Sequence, residues 1–173
     1  PTGSGKTFAL WLPNLIEYID QHPDTFQEKE GIGLKVLWIT PLRALAKDLE
    51  QALQHSLNDL GIPRNVERRT GDVSQAVKQR QYKKMPEVLI TTPESMHVLF
   101  ARKGHAKHFR SLKTLVIDEW HELLGSKRGI QTELMISRLR SLRPELRVWG
   151  ISATIGNLEE AQEVLLGTGY DPS

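Results

Sequence analysis

The stretch that decides the expected fold is PTGSGKT, from Pro1 to Thr7. Small residues let the backbone curl so that several N–H groups point inward at a phosphate, and the helix that follows adds its positive N-terminal end. In such a loop Lys6 lies between the β- and γ-phosphates, and the Thr7 hydroxyl is placed to ligate Mg²⁺. A chance glycine-rich turn is the alternative. We predict an ATP site formed by Thr2, Gly3, Ser4, Gly5, Lys6 and Thr7.

Outward from this loop, strand-like and helix-like segments alternate. The run at 34–40 (LKVLWIT) is apolar throughout, which is typical of strands covered on both faces. The alternation predicts an α/β fold, a parallel sheet with helices on both faces and right-handed crossovers. We predict strands at 34–40, 66–70, 88–92, 114–118 and 148–154. We predict helices at 7–20, 41–60, 73–83, 93–101, 130–142 and 158–166, with Pro13 bending the first or shifting its start.

Two adjacent carboxylates, Asp118 and Glu119, end the apolar segment at 115–117. Asp118 is suited to hold Mg²⁺ together with Thr7, partly through water, and Glu119 to orient and deprotonate the attacking water. Helix capping is the alternative for this pair alone. Together with the phosphate loop, however, the carboxylates predict a P-loop nucleotide hydrolase in which Glu119 and Lys6 are catalytic.

A third motif, Ser152-Ala153-Thr154, ends the strand predicted at 148–154. An ordinary turn closed by hydroxyl groups is one interpretation. In the other, the two hydroxyls hydrogen-bond to His121 or Asp118 and link the nucleotide site to a second site. We therefore predict that His121, Ser152 and Thr154 couple the nucleotide state to that second site.

Three further loops begin with Thr40, Thr70 and Thr92, each directly after a predicted strand. Each offers a hydroxyl and backbone N–H groups at a helix N-terminus, which is an anion site. Any one of them alone is ordinary helix capping. Because the carboxyl ends of parallel strands share one edge of a sheet, the three loops are placed to follow successive phosphates of a strand. The predicted nucleic-acid contacts are Arg43, Gly71, Thr92, Pro93 and Glu94.

The composition is that of one globular domain, with 173 residues, 39% hydrophobic and 25% charged residues. The chain has no cysteine, which excludes disulfides and suits a reducing compartment. The apolar run at 8–12 is far shorter than the ~18 residues of a membrane span. We therefore expect no membrane partner and a cytoplasmic location.

The net charge of +2 is too balanced to indicate a nucleic-acid binder by itself. Its distribution is uneven, because the stretch at 95–117 holds five basic residues and no carboxylate. This stretch is either a solvated surface or a patch that faces phosphates. The basic residues are Arg102, Lys103, Lys107, Arg110 and Lys113.

The motifs PTGSGKT, TPLRALA, TGD, TTPES, DEWH and SAT occur in the order of the superfamily 2 helicases, which the chain resembles over essentially its whole length. The stretch at 118–129, DEWHELLGSKRG, is similar to the large helicase-related (Lhr-like) group and, within it, to the ligase-associated DEXH-box branch. The resemblance implies a RecA-like P-loop lobe, a second lobe with an arginine finger, and accessory domains. It also implies ATP-driven 3′-to-5′ translocation on single-stranded or tailed duplex DNA, with DNA-repair enzymes among the partners and a nucleoid-associated location.

By this resemblance, residues 1–173 are the helicase ATP-binding domain, and the start of the chain inside a motif leads us to expect a fragment of a longer protein. Three alternatives stay open. One is an RNA helicase of the same superfamily, and another is a P-loop ATPase that binds no nucleic acid. The third is a nucleotide-responsive binding module without catalysis.

Overall fold

The computed structural model describes residues 4–28, 33–119 and 126–152. Its strands form one parallel sheet in the order β2-β3-β1-β4-β5. The strands are β1 (Val36–Ile39), β2 (Val66–Arg69), β3 (Val88–Thr91), β4 (Thr114–Ile117) and β5 (Arg147–Gly150). The helices are α1 (Ser4–Gln21), α2 (Arg43–Asp59), α3 (Gln75–Lys83), α4 (Pro93–Phe100) and α5 (Lys127–Leu142), with a short 3₁₀ helix at His105–Phe109. The predicted parallel α/β fold is confirmed, and the helix predicted at 158–166 lies outside the described residues.

The sheet separates two apolar cores, one on each face. Along β1, Val36 and Trp38 belong to the core beneath α1 and α2, whereas Leu37 and Ile39 belong to the core beneath α4 and α5. Successive side chains of a strand point to opposite faces, so a strand covered on both sides is apolar at every position. Each fully buried side chain of this size contributes about 1.5–3 kcal/mol.

The register aligns the carboxyl ends of the strands in one row. Hydrogen bonds extend this alignment past the strands, since Thr40 N–H donates to the Thr91 carbonyl (3.0 Å) and Asp118 N–H to the Ile39 carbonyl (2.8 Å). Every motif that follows a strand therefore leaves from the same edge of the sheet. The residues that end the five paired strands are Arg69, Thr91, Ile39, Ile117 and Gly150.

Helix C-termini lie within one residue of the predicted positions, whereas the N-termini of α1, α2, α3 and α5 lie two or three residues away from them. The shifted start expected from Pro13 is wrong, because α1 begins at Ser4 and continues through the proline. Helix α3 begins at Gln75 rather than 73, because the Ser74 side chain caps it. Gly61 follows α2 with φ +66° and closes that helix. In the described part of the chain, no helix has the length and apolar character that crossing a bilayer requires.

Candidate nucleotide and nucleic-acid sites

The phosphate loop enters α1 directly, with Ser4, Gly5, Lys6 and Thr7 in its first turn. Lys6 is exposed, and its Nζ donates to the Ser152 carbonyl at 3.4 Å. A Cβ placed on Gly5 would meet no described atom within 4 Å, so a ligand can approach the backbone here. The first loop residues, Thr2 and Gly3, lie outside the described residues.

Asp118 is a buried carboxylate at the end of β4, only 8% exposed. Its Oδ1 accepts the Glu119 N–H at 3.0 Å. Burial and, next, the negative charge of Glu119 raise the pKa of Asp118, while the charge of Lys6 acts in the opposite direction. Lys6 and Asp118 therefore interact electrostatically although they lie far apart in the chain.

Glu119 has a backbone conformation that non-glycine residues rarely adopt. Its φ is +49°, and it is the one non-glycine residue with positive φ among those described. Such a conformation costs about 1–3 kcal/mol and is typical of functional sites. The half-exposed Glu119 leaves the buried strand at this turn, at the same edge of the sheet as Lys6.

The residues at this edge fit a magnesium ion. Asp118 is a buried carboxylate, and because burial disfavours its negative charge, a bound cation would stabilise it. Mg²⁺ takes one or two protein oxygens, and substrate phosphates and water complete its shell. Residues 4–28, 33–119 and 126–152 contain no cluster of three or more His, Cys, Asp or Glu that could hold a metal.

Asp118→Asn will stabilise the protein in the absence of nucleotide and metal. The folded pKa of Asp118 lies above its unfolded value, so ionisation costs stability as the pH rises through that pKa. The melting temperature of the variant will exceed that of the wild type at pH 7, by about 2–4 °C for each kcal/mol. The difference will be smaller at pH 4 than at pH 7, because a larger fraction of the Asp118 carboxyl group is protonated at the lower pH.

Thermal unfolding in EDTA at both pH values measures this effect. Asp48→Asn, at an exposed position of α2, is the matched control and will leave the melting temperature nearly unchanged. An Asp118→Asn variant less stable than wild type at pH 7 would show that the charge of Asp118 is already compensated.

Of the three predicted coupling residues, the structure describes only Ser152. Its carbonyl accepts from Lys6, so the end of β5 contacts the phosphate loop. This contact is made by the backbone of Ser152, and the predicted contact of its hydroxyl with His121 or Asp118 stays a prediction. His121 and Thr154 lie outside the described residues, and their roles stay predictions.

A second concave surface, of about 310 Å³, lies at the carboxyl edge near β2 and β3, and we call it the rim cavity. It brings together four of the five predicted nucleic-acid residues. The fifth, Pro93, is buried at the first turn of α4 and lines a neighbouring groove between α4 and α5. The rim cavity is lined by Arg43, Arg69, Gly71, Gln75, Lys78, Thr92, Glu94, Ser95, Val98 and Arg102.

The predicted residues play different parts in this cavity. Thr92 is 3% exposed and its hydroxyl accepts the Ser95 N–H at 3.4 Å, so this side chain caps α4 as the plain alternative proposed. Glu94 is exposed and pairs with Arg128 at 2.5 Å. The side chain that the structure leaves in position to meet a phosphate is therefore Arg43 rather than Thr92.

Gly71 permits a close approach by Arg43. A Cβ at position 71 would lie 2.8 Å from Nη2 and 2.9 Å from Cζ of Arg43. The loop around Gly71 is held by Asp72, which accepts from the Thr70 hydroxyl (2.5 Å) and from Arg68 (2.5 Å), and these bonds keep the pKa of Asp72 well below its usual range. The TGD motif thus forms a platform for the Arg43 guanidinium.

Three basic residues of the cavity were not predicted as contacts: Arg69, Lys78 and Arg102. Arg102 belongs to the acid-free stretch at 95–117, and the basic character of that stretch was the sequence feature that could have identified Arg102 as a contact. That stretch does not form one surface patch, because Lys113 precedes β4 and so lies at the amino ends of the strands, where it donates to Gln21 (2.8 Å). Arg69 ends a strand, and nothing in the sequence marked it.

Comparison with known proteins agrees with this geometry. The DEAD/DEAH box helicase family matches residues 1–162. The chain is 35% identical to the ATP-dependent helicase Lhr-Core of Methanocaldococcus jannaschii over 99% of its length, and 36% identical to the Lhr helicase/probable uracil glycosylase of Mycolicibacterium smegmatis over 96%. The structure of Mycobacterium smegmatis helicase Lhr, bound to ssDNA and AMP-PNP, superposes with a TM-score of 0.76 at 31% identity over 97% of this chain.

These relatives are much longer than the chain, which spans 21% of the Methanocaldococcus protein, 11% of the Mycolicibacterium protein and 22% of the chain in the Lhr structure. The shared part is the RecA-like lobe, so that expectation is confirmed together with the resemblance to superfamily 2. The phosphate loop, the strand-end carboxylates and the similarity over nearly every residue lead to one conclusion. The chain belongs to the DEAD/DEAH box helicase family and, within it, to the Lhr-like group.

Proposed function

We propose that residues 1–173 form the ATP-binding lobe of an ATP-dependent DNA helicase or translocase. The observation that carries this proposal is the position of two sites on one edge of the sheet. Lys6, Asp118 and Glu119 lie near β4 and β5, and the rim cavity lies near β2 and β3. The effect of ATP hydrolysis at the first site can therefore be transmitted, through the shared rigid sheet, to a nucleic-acid strand bound at the second site.

In this mechanism the segment from Thr2 to Thr7 holds the phosphates of ATP, with the Lys6 ammonium near the β- and γ-phosphates. Thr7 and Asp118 would hold Mg²⁺, which neutralises negative charge on the phosphates when bound. Glu119 orients the attacking water and accepts its proton. The strained backbone of Glu119 places its carboxylate at the turn where β4 ends.

Coupling begins at the contact of Lys6 with the Ser152 carbonyl. The γ-phosphate competes for the same ammonium, so ATP binding changes what the end of β5 contacts. His121 and Thr154 would transmit this change to the second lobe. We propose that closure of the two lobes on the strand, driven in this way, produces translocation.

We propose that the bound nucleic-acid strand is DNA, because the related Mycobacterium smegmatis helicase Lhr is described as bound to ssDNA and AMP-PNP. The finer predictions accompany this proposal: 3′-to-5′ polarity, tailed duplex as substrate, accessory domains, a role in DNA repair with repair enzymes as partners, the ligase-associated branch and a nucleoid-associated location. An RNA helicase is the second candidate. Competition between DNA and RNA strands of equal length separates the two.

Strand binding will be salt-sensitive and independent of base sequence. Each neutralised phosphate of a single strand contributes about −0.7 to the slope of log K against log salt, so about three contacts predict a slope near −2. In Gly71→Ala the new Cβ displaces the Arg43 guanidinium, so one phosphate contact is lost and the slope becomes less negative by about 0.7. We expect the same change in Arg43→Gln.

Fluorescence anisotropy with a labelled oligothymidylate, using the intact protein, measures these slopes. Arg110→Gln is the matched control, because Arg110 is exposed and lies before β4, away from the rim cavity. A flat salt response, or strong preference for one base sequence, would exclude the proposed DNA track.

A further inference from the structure

Arg69 is a buried cation without a counter-charge among the described residues. It is 2% exposed, and its Nη1 donates to the Lys78 carbonyl (2.9 Å) and the Gln81 side-chain oxygen (3.2 Å). Both partners are neutral. Arginine stays protonated in proteins, and burying an uncompensated charge is costly. The structure therefore keeps a positive charge at the floor of the rim cavity at the expense of stability.

A second arginine, Arg102, lines the same cavity. Burial and, next, the like charge of Arg102 lower the pKa of Arg69. Arg102 also lines the rim cavity, and its Cζ lies 4.9 Å from the Tyr82 ring centroid, which positions this long side chain. Two arginines that repel one another at one cavity are stabilised when an anion lies between them.

The remaining charges around the cavity leave it strongly positive. Arg43 and Lys78 add two cations, and Glu94 is the single carboxylate among the lining residues. Glu94 is already paired with Arg128 at 2.5 Å. The nearby Asp72 is likewise engaged by Arg68 and does not line the cavity. No carboxylate among the described lining residues is therefore placed to neutralise Arg69 and Arg102.

We propose that Arg69 and Arg102 bind one backbone phosphate of the DNA strand at the floor of the rim cavity. The proposal rests on the DNA-binding function proposed above and assigns its deepest contact to residues outside the recognised motifs. Planar guanidinium groups match the phosphate oxygens in pairs, whereas an ammonium supplies a point charge. Arg43 and Lys78 flank this phosphate, so the strand is held at one defined phosphate with no base readout.

The test measures binding of a labelled oligothymidylate by the intact protein and by Arg102→Gln, Arg69→Lys and Arg110→Gln. We expect Arg102→Gln to weaken binding about tenfold at low salt and to reduce the salt slope by about 0.7. Arg69→Lys keeps the charge but loses the paired contact, so affinity will fall with little change in slope. Arg110→Gln will match the wild type, and thermal unfolding will show that all three variants are folded.

A second arm replaces single phosphates of the oligonucleotide by neutral methylphosphonates. In the wild type one linkage position will cause the largest loss, and in Arg102→Gln that position will lose its effect. If the wild type binds the oligonucleotide, and Arg102→Gln and Arg69→Lys bind it as tightly as Arg110→Gln does, the phosphate assignment is overturned. The proposed DNA-binding function is not affected by that outcome. If Arg69→Lys does not fold, Arg102→Gln and the methylphosphonate scan decide the outcome.

Two other outcomes also count against the assignment. Absence of DNA binding by the wild type would remove the proposed function and this inference together. The other outcome is that a low concentration of inorganic phosphate displaces the oligonucleotide from the wild type but not from Arg102→Gln. This result would identify a site for a free anion instead of a contact with the DNA strand.

Discussion

Glu119→Gln will leave ATP binding intact and slow hydrolysis by about 10²–10⁴-fold. Glutamine can still hydrogen-bond the attacking water but cannot accept its proton. The phosphate-binding residues are unchanged, so ATP will remain bound and the protein will stall on DNA. A nucleotide-binding titration beside a phosphate-release assay measures the two effects separately.

Lys6→Ala, in contrast, will weaken ATP binding itself, because in the proposed mechanism the Lys6 ammonium contacts the phosphates before the reaction. Glu133→Gln, at an exposed position of α5, is the matched control and will hydrolyse ATP at the wild-type rate. Hydrolysis by Glu119→Gln at the wild-type rate would show that the general base is another residue.

Residues 1–173 alone will hydrolyse ATP about 10³–10⁵-fold more slowly than a polypeptide that continues through the second lobe, and will not unwind duplex DNA. In the proposed mechanism a second lobe would supply an arginine finger, which stabilises charge on the γ-phosphoryl group in the transition state. The proposed translocation likewise requires two lobes that open and close on the DNA strand. Steady-state ATPase assays with single-stranded DNA compare the two polypeptides.

Circular dichroism and thermal unfolding of residues 1–173 control for misfolding. Equal turnover by the two polypeptides would mean that the catalytic set is complete within residues 1–173, and the two-lobe mechanism would then be wrong. Turnover that appears only with the longer polypeptide, and is stimulated by single-stranded DNA, is the expected outcome.

The sequence by itself determined the order and type of the secondary structure elements. Strand β1 was recognisable because Val36, Leu37, Trp38 and Ile39 are all apolar, and the two cores explain why every position must be. The polar strand β2 was harder, because at the edge of the described sheet Glu67 and Arg68 are half-buried. Strand ends could also be located, which placed the motifs at one edge.

The sequence predicts the nucleotide site from local motifs, because the chemistry of such a site is concentrated in two short stretches. The structure adds the electrostatic interaction between Lys6 and Asp118 and the strained backbone of Glu119. The roles of these residues stay predictions until the variants above are measured. The contact between Lys6 and the Ser152 carbonyl could not be foreseen, because a backbone acceptor leaves no trace in residue type.

Only the tertiary structure decided which basic residues face the rim cavity. Arg102 and Lys113 belong to one acid-free stretch, yet they lie at different edges of the sheet. Arg69 ends the edge strand β2, and it lines the rim cavity together with Arg102, which follows α4. Strand order and side-chain direction depend on pairing between distant segments, and the spacing of residues along a chain carries no record of that pairing.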